Sequence, residues 1–496
     1  MMPIIAQLPI LQVVVPLMAA PLVILLRGRN LAWFATMAAS LFAFAISMNL
    51  ANRVREAGPV SYEVGSWPAP YGIELYVDAF SALLLIVVSG ASSFALLIAR
   101  NSLKHEVPED RQHLFYTAWL LALSGLTGIL VAGDAFNIFV FMEISSLATY
   151  ILIAGGKQRQ ALTAVFKYLI LGTIGATFYL IGVGLIYMMT GTLNLADMAA
   201  RLHNVADLKP ILVAGGFITV GLAIKAAIFP LHTWLPNAYT YAPHAVTAFI
   251  AACSTKVSLY VLLRFDFFVF QDNLPGHVAQ FTAFLMPLAV IAIVLASLIA
   301  LVENDLKRLL AFSSVAQIGY ILLGASLVSV TGLTAGISHM FNHALAKGAL
   351  FFAVACLAAG GARLSVTGLS GAARQMPLTM AAFVAAGLSL IGIPGTAGFV
   401  SKWYLVRACL ELGPWGALLI APVLVGSLIA VLYVWRVIES AYFASANQSD
   451  KLTEAPRWML AVLWSVVGLN VYFGLQPTLP LELAASAADT LLFPYD

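Results

Sequence analysis

The sequence predicts an all-α polytopic membrane protein of about fourteen transmembrane helices, and three observations carry that prediction. Of the 496 residues, 61% are hydrophobic and only 9% charged, where soluble domains average about 25% charged. Apolar runs of about 20 residues, the length that crosses about 30 Å of hydrocarbon, recur along the whole chain. Lone charges interrupt some of these runs beside prolines and glycines, in Val220–Pro236 and Leu390–Leu405.

Taken in order, the predicted spans lie near 3–26, 31–50, 73–99, 113–131, 135–154, 162–189, 210–230, 243–265, 278–302, 309–329, 333–360, 377–405, 415–442 and 457–475. The first has no positive segment before it, and Arg27 and Arg29 follow it. It therefore reads as a permanent span with the N-terminus outside, rather than a signal peptide. The excess of Lys and Arg in inner loops tests this topology. Only Arg53, Arg55, Arg201, Lys209 and Arg407 fall outside. Lys167, Lys225, Lys256, Arg264, Lys347 and Lys402 fall within spans, and the other fourteen, from Arg27 to Arg457, fall inside. Both termini are thus expected on the outer side. The stretches 52–72 and 190–210 read as external loops, and the tail from Gln476 as a segment along the outer interface.

Composition also narrows function. The net charge of +3 includes no basic block, so no nucleic-acid partner is expected. Cys253, Cys356 and Cys409 are far apart and lack metal-ligand spacing, so neither a metal site nor a cofactor is implied. No nucleophile elbow or phosphate loop points to a self-contained enzyme. The expected partners are the lipid bilayer, other membrane subunits and small ions.

The charges at membrane depth are the functional signal. An ammonium there costs about 3 kcal/mol even on lenient insertion scales, and so persists where a partner or a function holds it. Lys225 precedes Pro230 and Pro236, and Lys402 follows Pro394 and Gly395. Broken backbone is tolerated at that depth only where it lines protein or water. Glu143, in FMEISSLATY, needs a cation nearby; a static Glu–Lys pair pinning two helices is the plainer reading, a tunable pair the functional one. His232 follows Lys225 by seven residues, His244 opens the eighth span, and Lys256 falls near the middle of that span. His339, His343 and Lys347 step by four along the eleventh span and share one helical stripe. Lys167 either snorkels to the inner interface or takes up protons. The run Glu303–Arg308 reads as a solvated turn whose charges pair among themselves.

The segments FMEISSLATY, KAAIFPLHTWLPNAYTYAPHAVTAF, STKVSLYVLLR, ENDLKRLLAFSSVAQIGY, HMFNHALAKG and GIPGTAGFVSKWY together resemble the antiporter-like family shared by complex I and the Mrp-type cation/proton antiporters. The resemblance implies two inverted five-helix repeats, helices 4–8 and 9–13, with broken helices 7 and 12. It divides one membrane domain into helices 1–3 (1–111), a first repeat (112–266), a second repeat (277–442), and a last helix with its tail (457–496). By the same resemblance Glu143 and Lys225 form the charged pair of the first half. Lys256 is the connecting lysine, His339 and His343 are relay histidines, and Lys402 ends the second half. His232, His244, Lys347 and Lys167 are further relay candidates.

A lysine at 402 departs from the complex I subunits that carry glutamate there. Together with the chain length and WPAPYGIELYVDAFSALL, it is most similar to the D-type subunits of Mrp antiporters. The expected function is proton translocation within a multisubunit sodium/proton antiporter, with lithium or potassium as alternative cations. The expected partners are A, B, C, E, F and G-type subunits, and the expected location is a bacterial inner membrane. The alternative is a proton-pumping subunit of a complex I-like dehydrogenase or a membrane-bound hydrogenase.

Overall fold

The computed structural model describes residues 7–26, 28–205, 207–270, 276–445 and 451–493, with the side chains of 277–280 left out. Arg27, assigned above to an inner loop, lies outside these residues, as do both ends of the chain. Helices α1 (Leu8–Leu25) and α2 (Arg29–Ala57) lead into an antiparallel hairpin of β1 (Val60–Glu63) and β2 (Glu74–Val77), then α3 (Ala79–Glu106). Next come α4 (Gln112–Val131), α5 (Ala135–Ala154) and α6 (Arg159–Thr190), with the short α7 (Leu195–Leu202) in the following loop. Two half-helices, α8 (Lys209–Lys225) and α9 (Trp234–Tyr241), precede α10 (His244–Leu263), which a π turn prolongs to Val269. The chain continues through α11 (His277–Val302), α12 (Leu306–Ser326), α13 (Val330–Ala359) and the single turn α14 (Ala372–Gln375). A second pair of half-helices, α15 (Pro377–Ile391) and α16 (Ala397–Glu411), leads to α17 (Pro414–Tyr442), α18 (Arg457–Leu475) and α19 (Thr478–Leu492).

Among the described residues, twelve helices are long and apolar enough to cross a membrane. The pairs α8/α9 and α15/α16 occupy the sites of the seventh and twelfth predicted spans. Boundaries differ most around the first external loop. There α2 runs on to Ala57, and residues 74–77, assigned to a span by hydropathy, form a strand. The cause is local: Asp78 accepts the Ser81 N–H while the Ser81 hydroxyl oxygen accepts the Asp78 N–H, a reciprocal cap that fixes the start of α3 at Ala79. Hydropathy averages over such a cap.

Each break has a chemical cause. After Lys225 the chain meets Pro230, which has no N–H to offer the Ala226 carbonyl, and the Trp234 indole reaches back to donate to the Ile224 carbonyl at 2.9 Å. After Ile391 the chain turns through Gly392 and Gly395, at φ +93° and +87°, conformations that glycine adopts without a Cβ penalty. Close approach then seats the pieces. A Cβ on Gly221 of α8 would meet the Gly175 carbonyl oxygen of α6 at 2.5 Å, so these helices cross backbone to backbone, as small residues allow in membranes.

Helices α4, α10, α12 and α13 form the interior, and α12 is buried along its length except at Arg308. At one end of the bundle Glu106 meets His244, Arg29 meets Glu109 at 3.2 Å, and Lys307 donates to the Ala242 carbonyl at 2.6 Å. At the other, Arg55 pairs with Glu482 of α19 at 2.7 Å and Asn194 donates to Glu74. The tail helix α19 buries one face, including Leu483, Ala487 and Leu491, and packs on α13 and α3.

Candidate functional site

Lys225 is the last residue of α8, and the break after it leaves its side chain facing α5. Its Nζ donates to Ser146 Oγ at 2.8 Å and lies 3.4 Å from Glu143 Oε1. Glu143 and Ser146 are three residues apart on one face of α5, so a single helical turn supplies both acceptors. The Lys225 side chain is 4% exposed and that of Glu143 27%, which makes the pair one-sided: the cation is sealed and the carboxylate reaches the edge of the chain. Val140 and Leu147 flank Glu143 on the same outward stripe.

His232 lies within the break, stacked on Phe229 at 5.0 Å and edge-on to Phe312 at 6.1 Å. Lys256 is buried in α10 and donates to the Ala251 carbonyl of its own helix. Among the described residues no direct hydrogen bond joins Lys256 to Lys225. Lys256 is, however, within electrostatic range of His339, His343 and Lys347.

The predicted stripe on α13 is continuous. The rings of His339 and His343 stack with centroids 6.0 Å apart and planes 6° apart. His339 is held from both sides, by Gln317 of α12 at Nε2 and Ser401 of α16 at Nδ1, each at 2.8 Å. His343 is buried, and among the described residues neither ring nitrogen has a hydrogen-bond partner. Lys347 donates to the Leu310 carbonyl at 2.7 Å and to Ser313.

Lys402 closes the second break. Its ammonium donates to the Leu390 and Ile391 carbonyls at 3.1 and 2.9 Å and to Ser427 Oγ at 3.0 Å, and it lies 4.5 Å above the Tyr320 ring. These carbonyls end α15 and have no intrahelical donor, so the lysine caps the half-helix that follows no further.

Not every candidate joins this series. Lys167 is exposed on the outward face of α6. His244 sits at one end of the bundle, its Nε2 3.5 Å from Glu106 Oε1 and its N–H donating to both Glu106 oxygens. The turn at 303–308 corrects the sequence reading in part. Arg308 does pair with Glu303 at 2.8 Å, but Lys307 is buried rather than solvated. Sequence reasoning also missed Glu106, Gln317, Tyr320, Ser401 and Ser427, polar residues whose role depends on partners more than 20 positions away. Only Ser146, one turn beyond Glu143, carried a local signal.

The arrangement is a row of buried titratable groups, most held by neutral acceptors, threaded through two broken helices. The profile of the NADH:quinone oxidoreductase/Mrp antiporter transmembrane family matches residues 132–430, the stretch that contains all of these groups except Glu106. The chain belongs to this family. It is 44% identical over 454 residues to NADH-quinone oxidoreductase subunit N of Desulforudis audaxviator, covering 91% of this chain and 89% of that one. It is 29% identical to the D-type subunit of the Na(+)/H(+) antiporter of Bacillus subtilis, covering 98% and 97%. Its fold is similar to a chain of the Mrp complex from Dietzia sp. DQ12-45-1b, with a TM-score of 0.89, 28% identity, and 100% and 98% coverage. This family member is therefore a multi-pass, antiporter-like membrane subunit of the Mrp or complex I type.

Proposed function

We propose that the chain translocates protons as one subunit of a multisubunit membrane complex, through Glu143, Lys225, Lys256, His339, His343 and Lys402. The observation that carries this reading is the pairing of each helix break with a lysine: Lys225 on Glu143 and Ser146, and Lys402 on the open carbonyls of α15. A lysine at such a break changes its local bonding when it gains or loses a proton, and Glu143 responds through charge alone. The buried His343 imidazole, without a hydrogen-bond partner among the described residues, keeps both ring nitrogens open to a proton carrier such as water. His232 and Lys347 serve as side branches of the same series, while His244 stays apart from it with Glu106. Each charge moved across the membrane is worth about 2.3 kcal/mol per 100 mV, so the membrane potential can drive or be built by this transfer.

The outward stripe of α5 and α6 supports a neighbouring subunit on that side. It exposes Phe136, Leu147, Leu162 and Phe166 together with the edge of Glu143 and with Lys167. A carboxylate and an ammonium among apolar residues suit contact with protein better than with lipid.

We infer a sodium/proton antiporter of the Mrp type as the parent complex, with both termini on the outer side of a bacterial inner membrane. End-to-end similarity to the D-type antiporter subunit of Bacillus subtilis supports it. The 44% identity to a subunit N favours a second reading, a proton-pumping subunit of a respiratory complex. Purifying the intact complex and identifying its subunits separates the two. In vesicles, Lys225→Ala and Glu143→Ala abolish proton transport while assembly persists; transport at the normal rate in either variant rejects the assigned roles.

A further inference from the structure

A groove outside the buried series has the dimensions and chemistry of a phospholipid. Its deep part is a cavity of about 220 Å³, walled by Phe44 of α2, Gly90 and Phe94 of α3 and Phe473 of α18, and floored by Ala252 of α10 and Gly348 of α13. Every residue lining it is apolar. Toward the end of the bundle that holds Glu106, helices α2, α3 and α18 also line a second cavity of about 380 Å³, formed by Trp33, Leu97, Arg100, Asn101, Lys104 and Trp458. Leu97, in the second cavity, follows Phe94, in the first, by about one turn of α3, so a basic, aromatic mouth lies one turn beyond the apolar slot along the same helix.

The mouth is built and unneutralised. Trp33 is fixed by its indole N–H donating to the Leu96 carbonyl at 2.9 Å, and the Arg100 guanidinium lies 4.7 Å above its ring. Arg100 and Lys104 are exposed, and among the described residues no carboxylate lies within ion-pair distance of either. From Gly90 to Lys104 the helix rises about 21 Å at ~1.5 Å per residue. That matches one leaflet with its headgroup, half of about 40–45 Å.

Physical chemistry selects the occupant. An apolar void stays dry, and its walls lose dispersion contacts until something fills it. Lipid tails are as apolar as the slot, so filling it brings no hydrophobic preference for one lipid over another. Selection falls to the headgroup. Two unpaired cations beside aromatic rings at the interface favour an anion, by roughly thirty-fold over a zwitterion.

We propose that this groove holds one anionic glycerophospholipid, its phosphate between Arg100 and Lys104 and one acyl chain in the slot. The hydrocarbon then lies one residue from Lys347, and the bound lipid forms the wall that keeps bulk water from the α10–α13 groups on this side.

The test uses the full chain, in its complex, purified in mild detergent and exchanged into phosphatidylglycerol or phosphatidylcholine. Native mass spectrometry is expected to show phosphatidylglycerol retained about thirty-fold better, with the preference falling to threefold or less in the Arg100→Gln, Lys104→Gln double variant. An undiminished preference in that variant overturns the proposal. A second arm needs no variant. Phosphatidylglycerol carrying a photoreactive group at its acyl terminus should cross-link to the peptides holding Phe94, Gly348 or Phe473. Cross-links confined to outward helix faces, or a quinone or a partner's helix found in the slot, refute it.

Discussion

The second helix break makes a quantitative prediction through Gly398. Helix α16 starts against the last turn of α15 with no room for a side chain. A Cβ on Gly398 would sit 1.9 Å from the Ser389 carbonyl oxygen, where ordinary contact begins at 3.4 Å, so Gly398→Ala must part the half-helices by about 1.5 Å. Lys402 lies one turn further along α16 and moves with it. Its bonds of 3.1 and 2.9 Å to the Leu390 and Ile391 carbonyls then stretch past the usual limit of about 3.2 Å. Overpacking alone costs about 1–3 kcal/mol, and each lost hydrogen bond to a charged group about 1.5–3 kcal/mol more. The expected result is a loss of roughly 3 kcal/mol or more in thermal unfolding, together with at least a tenfold fall in proton uptake by proteoliposomes. Gly184→Ala on α6 is the control, since nothing beyond its own helix backbone lies within 4 Å of the added methyl; it should leave transport unchanged and raise stability by at most about 1 kcal/mol through helix propensity. If Gly398→Ala behaves like that control in both assays, the packing of α15 on α16 does not hold Lys402 in place.

Two further predictions address other regions. Burial alone would raise the Asp78 carboxyl, but the Arg264 guanidinium and the Ser81 hydrogen bonds hold it below the ordinary carboxylate value. A lowered folded-state value adds stability above the unfolded value and loses it as the pH falls through the folded one. Melting temperature should therefore drop below about pH 4 in the wild type and not in Asp78→Asn. At neutral pH that variant should be about 3–5 kcal/mol less stable, because Arg264 is left buried and unpaired; equal acid sensitivity in both proteins contradicts the assignment. At His339, Ser401→Ala and Gln317→Leu each remove one hydrogen bond, worth about 1 kcal/mol. Proton transport should slow about fivefold per substitution, and unchanged transport in the double variant would show that the ring needs neither partner.

How much could be read without coordinates depended on the range of each interaction. Apolar run length located the long helices because each crosses on its own sequence, and Pro230, Pro394 and Gly395 marked the breaks because they act on their own backbone. The α13 stripe was legible for the same reason, since a step of four residues fixes a face within one helix. What failed to show lay between helices. Glu106 carries no signal in its own stretch of sequence, because its partner His244 is brought against it only by α10. Gln317 and Ser401 had no pattern to betray them, because their meeting point exists only once α12, α13 and α16 are packed. Lys307 was misassigned because its neighbours are charged, yet the Ala242 carbonyl draws it inward.

The cap that Lys402 makes on α15 also sets a donor count. An ammonium has three N–H groups, and three acceptors surround this one: the carbonyls of Leu390 and Ile391 and the hydroxyl of Ser427. A neutral amine has two. When this lysine gives up its proton, its two N–H groups still serve the two carbonyls, and its new lone pair can accept the Ser427 O–H, so the third bond survives by reversing its direction. Deprotonation at this position is thus tied to the turning of one hydroxyl, so that the direction of the Ser427 bond and the charge of the lysine change together.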